Sequence, residues 1–207
     1  MTISAPQALA RLREGNARFV SGVRSLDALM THTRRAALVE EHSPFAIILG
    51  CSDARVPAEI VFDQGMGDLF VIRVAGNIVA PSQVGSVEFA AERFGTRLVV
   101  VLGHTGCGAI LATLDELQRP NETQSRNLRS IVDRVRPSVV GLLDTHLDRD
   151  ALIAHAVRNN IRASAGHLRH GSAVLEQLIQ EDGLLVVGAE YSLETGVVEF
   201  FDGVPST

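Results

Sequence analysis

Three side chains that can bind a metal ion follow two apolar runs of this sequence. Cys51 comes just after the run 45–49, and His104 and Cys107 come just after the run 98–102. Runs that are apolar at every position are typical of strands buried on both faces. The carboxyl ends of parallel strands meet at one edge of an α/β sheet, where ligands bind, so we expect these side chains to converge. Two thiolates and one imidazole form the donor set of a catalytic zinc site with an open fourth position.

Each cysteine also has an ordinary structural interpretation. A reduced cysteine is most often a small buried apolar residue, and a single His-x-x-Cys pair is weak evidence for a metal. Several features together favour the metal site. The chain has 2 cysteines and both fall at strand ends, and His104 and Cys107 lie one helical turn apart on a glycine-rich turn.

Asp53 and Arg55 follow Cys51 closely enough to act beside it. As a surface ion pair they would stabilise the fold by only about 0–1 kcal/mol. The functional interpretation is that Arg55 holds Asp53 ionised through a charge-assisted, bidentate contact. Asp53 would then accept a hydrogen bond from the reacting group at the metal.

The elements that must position these residues alternate between strands and helices. Apolar runs predict strands at 45–49, 68–74 and 97–102, and a glycine between 184–187 and 197–201 predicts a closing antiparallel hairpin. Helical spacing predicts helices within 4–41 and over 82–94, 108–117, 125–143, 148–168 and 172–180, with a short helix capped by Asp53. This alternation predicts a single α/β domain over 1–207. A helical arm, 1–42, precedes the core, 43–207, and covers either the sheet of its own chain or a partner subunit.

Length and composition exclude several classes of function. The chain has 207 residues, a hydrophobic content of 46% and a formal net charge of -5, so it has no global attraction to nucleic acid or to an anionic membrane. No basic stretch followed by an apolar core begins the sequence, and no apolar run approaches the ~20 residues of a membrane span. We therefore expect a cytoplasmic protein with reduced thiols.

The pattern Cys51-x-Asp53-x-Arg55, followed downstream by His104-x-x-Cys107, resembles the β class of carbonic anhydrases. The resemblance extends to Val56-Pro57, to the segment 73–77 and to the glycines that flank His104 and Cys107. It covers residues 45–108 strongly and the rest of the chain only in general character.

The resemblance implies a fold, an activity and a cofactor. The fold is a mostly parallel α/β sheet in the order 2-1-3-4-5, with the last strand antiparallel, flanked by helices and preceded by an N-terminal helical arm. The activity is the reversible hydration of carbon dioxide to bicarbonate and a proton by a metal-bound hydroxide. One Zn²⁺ per chain would be bound by Cys51, His104 and Cys107.

The resemblance also implies roles for the residues around the metal. Asp53, kept ionised by Arg55, would orient the hydroxide, and Asp53 released from Arg55 would become a conditional fourth ligand of the zinc. Members of the family that are regulated by bicarbonate at a second site carry a tryptophan, an arginine and a tyrosine there. This chain has Ile48 in place of the tryptophan, although Arg73 and Tyr191 could fill the other two roles, so the resemblance favours the open state.

A substrate pocket is implied as well, partly built across a dimer interface. Its residues would be Gly108, Phe70, Phe89, Ala75, Gln64 and His42. His42 stands where related members have glutamine, which makes it a candidate contact to bicarbonate or a proton shuttle. The family further implies self-association as a dimer or a tetramer.

Other interpretations stay open at this point. Hydrolysis of carbon disulfide or carbonyl sulfide uses the same scaffold and the same site residues. A structural zinc site or a redox-sensing thiol pair is a second alternative, although structural sites normally have four protein ligands. A nucleotide-binding α/β protein is a third, but the glycines of 103–108 do not have the spacing of a phosphate-binding loop.

Overall fold

A single sheet runs through the described part of the protein. The computed structural model describes residues 3–25, 32–40, 42–118 and 125–205. Among these residues the strands are β1 (Ala46–Gly50), β2 (Leu69–Arg73), β3 (Leu98–His104), β4 (Leu185–Tyr191) and β5 (Val198–Asp202). Their order is β2-β1-β3-β4-β5, with β1 to β4 parallel and β5 antiparallel to β4. The predicted fold class is confirmed.

Helices cover both faces of this sheet. They are α1 (Ala5–Val20), α2 (His32–Glu40), α3 (Ala58–Val61), α4 (Pro81–Arg93), α5 (Gly108–Gln118), α6 (Arg126–Val139), α7 (Arg149–His170) and α8 (Ala173–Glu181). Short 3-10 turns lie at Ala75–Asn77 and Val140–Leu142. None of the helices in the described ranges has the length and apolar character needed to cross a membrane.

The central strands are buried because both of their faces carry apolar side chains. Every residue of β1 and β3 is buried. Ile47 and Leu49 face a core built with α4 to α8, whereas Ala46 and Ile48 face a second core built with α1 and α3. This double coverage explains why the two runs are apolar at every position.

The first helix covers the sheet of its own chain. Ala8, Leu9 and Leu12 are buried in the second core. The buried Asn16 fixes the position of α1, since its amide donates to the carbonyl oxygens of Val61 and Gly196 at 3.1 and 2.9 Å. The N-terminal arm was expected to cover either the sheet of its own chain or a partner subunit, and α1 covers the sheet of its own chain. A second helical stretch was predicted over 26–39: its part from residue 32 onward is α2, and residues 26–31 lie outside the described ranges.

Helix α7 lies unusually close to the sheet, because two glycines of the strands face it. A Cβ added to Gly103 would lie 2.6 Å from Ile161 Cδ1, and one added to Gly188 would lie 2.8 Å from Ile161 Cγ2. Both distances are shorter than side-chain contacts permit. The absence of side chains at these two positions thus sets the separation of α7 from β3 and β4.

Three local predictions were wrong. The fourth strand, predicted to end at 187, continues to Tyr191. Asp53 does not cap the helix that follows it: α3 begins at Ala58 with Pro57 before it, and the Asp53 carboxylate instead accepts the backbone N–H of Arg55 at 3.0 Å. The third strand does not end at 102 but continues to His104, because residues 98–104 all pair with β4. His104 is therefore held by the sheet itself. The predicted loop after Gln118 falls largely on residues 119–124, outside the described ranges.

Candidate metal centre

Cys51, His104 and Cys107 meet at the carboxyl edge of the sheet. Gly50 pairs with Leu102 in the parallel register, so Cys51 leaves β1 beside the end of β3. Cys107 lies in the turn that joins β3 to α5. One ligand atom from each of the three residues lies within 4.8 Å of the others, and the two Sγ atoms are 3.9 Å apart. All three residues are buried.

One nitrogen of His104 is left for a ligand. Its Nδ1 lies 3.0 Å from the backbone oxygen of Thr105, and since a carbonyl oxygen only accepts, Nδ1 is the N–H donor. Nε2 is buried and has no hydrogen-bond partner among the described residues. An unpaired buried nitrogen costs about 1–3 kcal/mol unless a ligand satisfies it. An imidazole fixed through Nδ1, with Nε2 facing two sulfurs, fits a zinc ion.

The two thiols perturb each other's titration. The hydrogen bond from the Cys107 thiol is the largest cause that lowers the pKa of Cys51 to about 4; burial opposes it. The same hydrogen bond, together with burial, raises the pKa of Cys107. Burial lowers the pKa of His104, but the proximity and charge of the Cys51 sulfur outweigh it, so the net direction is upward. The Cys51 thiol is thus the more acidic of the two thiols, and binding of a metal ion would require both as thiolates.

Asp53 and Arg55 form a bidentate pair at the rim of this cluster. Arg55 Nε donates to Asp53 Oδ1 at 2.9 Å, and the terminal nitrogen donates to Oδ2 at 2.7 Å. These hydrogen bonds are the main reason that the pKa of Asp53 lies well below its usual range. Asp53 Oδ2 is 3.8 Å from His104 Nε2, so the ionised carboxylate faces the ligand set.

Backbone and arginine contacts hold Cys51 in place. The Arg73 guanidinium donates to the carbonyl oxygens of Cys51 and Asp53 at 3.0 and 2.6 Å. The backbone N–H of Gly76 donates to Cys51 Sγ at 3.4 Å. Sequence reasoning named the segment 73–77 as part of a pattern but missed these contacts. The signal was an arginine at the end of a strand, three residues before Gly76.

Three of the predicted pocket residues form one aromatic cluster. The rings of Phe70 and Phe89 have centroids 6.2 Å apart, and the His42 ring lies 5.0 Å from that of Phe94. Phe94 joins the two pairs, at 6.1 Å from Phe70 and 5.8 Å from Phe89. Phe94 was missed, because an aromatic residue at the end of a predicted helix is more often part of the core.

The other predicted pocket residues lie in separate places. Gly108 is exposed and begins α5, so its backbone N–H belongs to the first turn, which lacks intrahelical acceptors. Ala75 begins the 3-10 turn next to Gly76. Gln64 is buried beside α1, where its amide donates to the Phe62 carbonyl at 2.7 Å and accepts from Arg11 at 3.0 Å. Within one chain, both ends of the Gln64 amide are therefore engaged.

Comparisons with known proteins agree on one family. A family model described as carbonic anhydrase matches residues 46–198. A carbonic anhydrase of Mycolicibacterium smegmatis is 38% identical over 188 residues, which cover 91% of this chain and 89% of the relative. Carbonic anhydrase 2 of Mycobacterium tuberculosis is 36% identical over 185 residues, or 89% of this chain and 87% of the relative.

Solved structures show the same fold. The β-carbonic anhydrase CcaA has a TM-score of 0.73 at 26% identity, over 94% of this chain and 95% of that one. A β-carbonic anhydrase of Sordaria macrospora, described as tetrameric, has a TM-score of 0.72 at 23% identity, over 84% and 87% of the two chains.

Proposed function

This chain belongs to the β class of carbonic anhydrases, and on that premise we propose that it hydrates carbon dioxide reversibly to bicarbonate and a proton at a zinc ion. The observation that carries the proposal is the convergence of three donor atoms, from Cys51, His104 and Cys107, within 4.8 Å. These residues would hold the zinc ion. When bound, Zn²⁺ acidifies water and so supplies the nucleophile near neutral pH.

Asp53 is proposed to orient the nucleophile. Its carboxylate stays ionised because Arg55 donates two hydrogen bonds to it, so it acts only as an acceptor. At the rim of the ligand set, Asp53 would accept a hydrogen bond from the O–H group of the nucleophile. That hydrogen bond would turn an oxygen lone pair of the nucleophile toward the substrate. The same two hydrogen bonds keep Asp53 from rotating inward as a fourth ligand, which supports the open state.

The aromatic cluster and the first turn of α5 are proposed to receive the substrate. Carbon dioxide is small and has no net dipole, so the faces of Phe70 and Phe89 suit it, with Ala75 beside the ligand turn. The Gly108 N–H is proposed to donate to an oxygen of bicarbonate. Gln64 and His42 stay predicted contacts. The exposed imidazole of His42 is the group in this set that can carry a proton to solvent.

We also propose that the protein self-associates as a dimer or a tetramer and works in the cytoplasm. Phe89 is 53% exposed although it belongs to an aromatic cluster, as expected of a pocket that a second subunit completes. The net charge of -5 supports a small-molecule substrate over a nucleic acid or an anionic membrane.

The test combines metal analysis with stopped-flow assays on one purified preparation. We expect one zinc per chain and a rate of carbon dioxide hydration far above the spontaneous rate, both abolished in Cys107→Ser. Carbonyl sulfide and carbon disulfide are assayed in parallel. Hydrolysis of either one without carbon dioxide hydration would replace the proposed substrate, and a zinc-loaded protein inactive on all three would refute the proposal.

A further inference from the structure

A buried amide on α7 contacts the turn that holds the metal ligand Cys51. Asn160 is 2% exposed, and its Nδ2 donates to the backbone oxygen of Gly76 at 2.8 Å, across 84 residues of sequence. A buried side chain that donates a hydrogen bond to a carbonyl oxygen far away in the sequence fixes the position of that carbonyl. The proposed chemistry gives this amide no direct role.

Gly76 is the residue through which this contact reaches the ligand set. Its N–H donates to Cys51 Sγ at 3.4 Å, while its carbonyl oxygen accepts from Asn160. Gly76 has a φ of 71° and Asn77 has a φ of 43°, so two consecutive residues are left-handed. Glycine and asparagine both adopt this conformation readily, so the sequence permits the turn, and the hydrogen bond from Asn160 fixes the position of its carbonyl oxygen.

The close approach of α7 makes the contact possible. Ile161, the neighbour of Asn160, packs against Gly103 and Gly188 at distances that no side chain at either position would permit. Because Gly103 and Gly188 allow α7 to pack close to the sheet, Asn160 lies near enough to the edge of the sheet to reach Gly76.

We propose that Asn160 is a positioning residue for the metal ligand Cys51. It holds the turn 75–77 so that the Gly76 N–H stays on the Cys51 sulfur. A hydrogen bond to a metal-binding thiolate fixes its orientation and tunes its donation to the metal. The inference rests on the proposed zinc site and adds a residue outside the motif to it.

The test uses Asn160→Leu and Asn160→Ala, with Ser164→Ala as the matched control. Both Asn160 variants remove the donor, and the smaller one lowers the risk of misfolding. Ser164 is also a buried polar residue, 6% exposed, one turn further along α7. Zinc affinity is measured by competition with a chelator, and cobalt-substituted protein is examined for its sulfur-to-cobalt charge-transfer band.

We expect the zinc dissociation constant of the Asn160 variants to rise about 10–100-fold. The charge-transfer band should move to longer wavelength, because a thiolate without its donor gives up an electron more readily. Ser164→Ala should match the wild type in both. Wild-type affinity and an unmoved band in folded Asn160 variants, whatever their melting temperature, would overturn the proposal.

A measurement on the wild type keeps the inference testable if neither variant folds. In ¹¹³Cd-substituted protein, the amide proton of Gly76 should show scalar coupling to cadmium through the sulfur, and its absence would overturn the proposal. A wild type that binds neither zinc nor cobalt would refute the proposed metal site itself. A wild type that binds both, with Asn160 variants equal to it, would refute the role of Asn160 alone.

Discussion

The pair of Asp53 and Arg55 shows why geometry matters more than strength at this site. Arg55 is 59% exposed and Asp53 19%, so water screens the pair and its contribution to folding is small. Its two parallel hydrogen bonds nevertheless fix both oxygens of the carboxylate. A pair that adds little stability can still determine which way an acceptor faces.

Asp53→Asn should lower kcat/KM for carbon dioxide hydration about 10–100-fold, the usual effect of losing a group that orients a metal site. The amide keeps the shape of the carboxylate but presents a donor where only an acceptor works. Stopped-flow hydration, with zinc content checked, measures the effect. Asp115→Asn removes an exposed carboxylate that pairs with Arg149 at 3.3 Å and serves as the control. Full activity in zinc-loaded Asp53→Asn would contradict the assigned role.

Arg55→Ala should raise the pKa of Asp53 toward its ordinary value of about 3.9. Arg55 is the main cause of the depressed pKa. Since the folded pKa is the lower one, the stabilisation from this pair is present above about pH 4 and is lost as the pH falls toward the folded value. Carboxyl-carbon NMR titration reads the change directly. Arg149→Ala should leave the titration of Asp53 as in the wild type, and an unchanged pKa in Arg55→Ala would show that another group depresses it.

At the scale of elements, the contact between α7 and the sheet joins the core to the site. Gly103 immediately precedes the proposed ligand His104, and Ile161 fills the space that a side chain at Gly103 would need. A change in this contact therefore affects both the stability of the fold and the position of a ligand.

Gly103→Ala should lower the free energy of unfolding by about 1–3 kcal/mol, since the added methyl group forces Ile161 away from the sheet. Urea denaturation measures the difference. Gly166→Ala is the control on α7: a Cβ there meets open space, and replacing glycine by alanine inside a helix should stabilise by up to about 1 kcal/mol. Equal stability of Gly103→Ala and the wild type would mean that α7 can move outward without cost.

The strands and the candidate metal-binding residues could be predicted from the sequence, because buried parallel strands leave continuous apolar runs and the reactive side chains follow their ends. The strand order came from the resemblance to the family. The sequence could not reveal contacts made between distant segments. In the sequence Asn160 is an ordinary helical residue, and its contact with Gly76 depends on how α7 packs against Gly103. The pairing of Asp53 with Arg55 was predicted, but the helix cap was wrong, because the carboxylate accepts the backbone N–H of Arg55 and the next helix begins only at Ala58.

For the whole molecule, exposed apolar side chains indicate where a second copy would pack. Val39 on α2 is 81% exposed and Met66 is 55% exposed. Leu38 lies against Gly67, which places these two side chains in the same region. Single exposed apolar residues are common, but neighbouring ones mark interaction surfaces.

Val39→Asp should reduce the mass of the particle in solution, because a buried, unpaired carboxylate opposes association. Size-exclusion chromatography with light scattering measures the mass, with the wild type expected as a dimer or a tetramer. Leu128→Asp replaces an apolar side chain, 56% exposed on α6, and should leave the mass unchanged. A monomeric wild type, or an oligomer indifferent to Val39→Asp, would contradict the proposed assembly.

The ligands come from the ends of β1 and β3, separated by all of β2 and α4, and this has a consequence for biosynthesis. A chain leaving the ribosome carries Cys51 alone until His104 and Cys107 have also emerged and the strands have paired. On the proposed zinc site, the ion could therefore be captured only late, after the middle of the sheet has closed. Release of the zinc would then report on unfolding of the sheet. The fluorescence of a zinc-sensitive dye should rise when β1 and β3 separate.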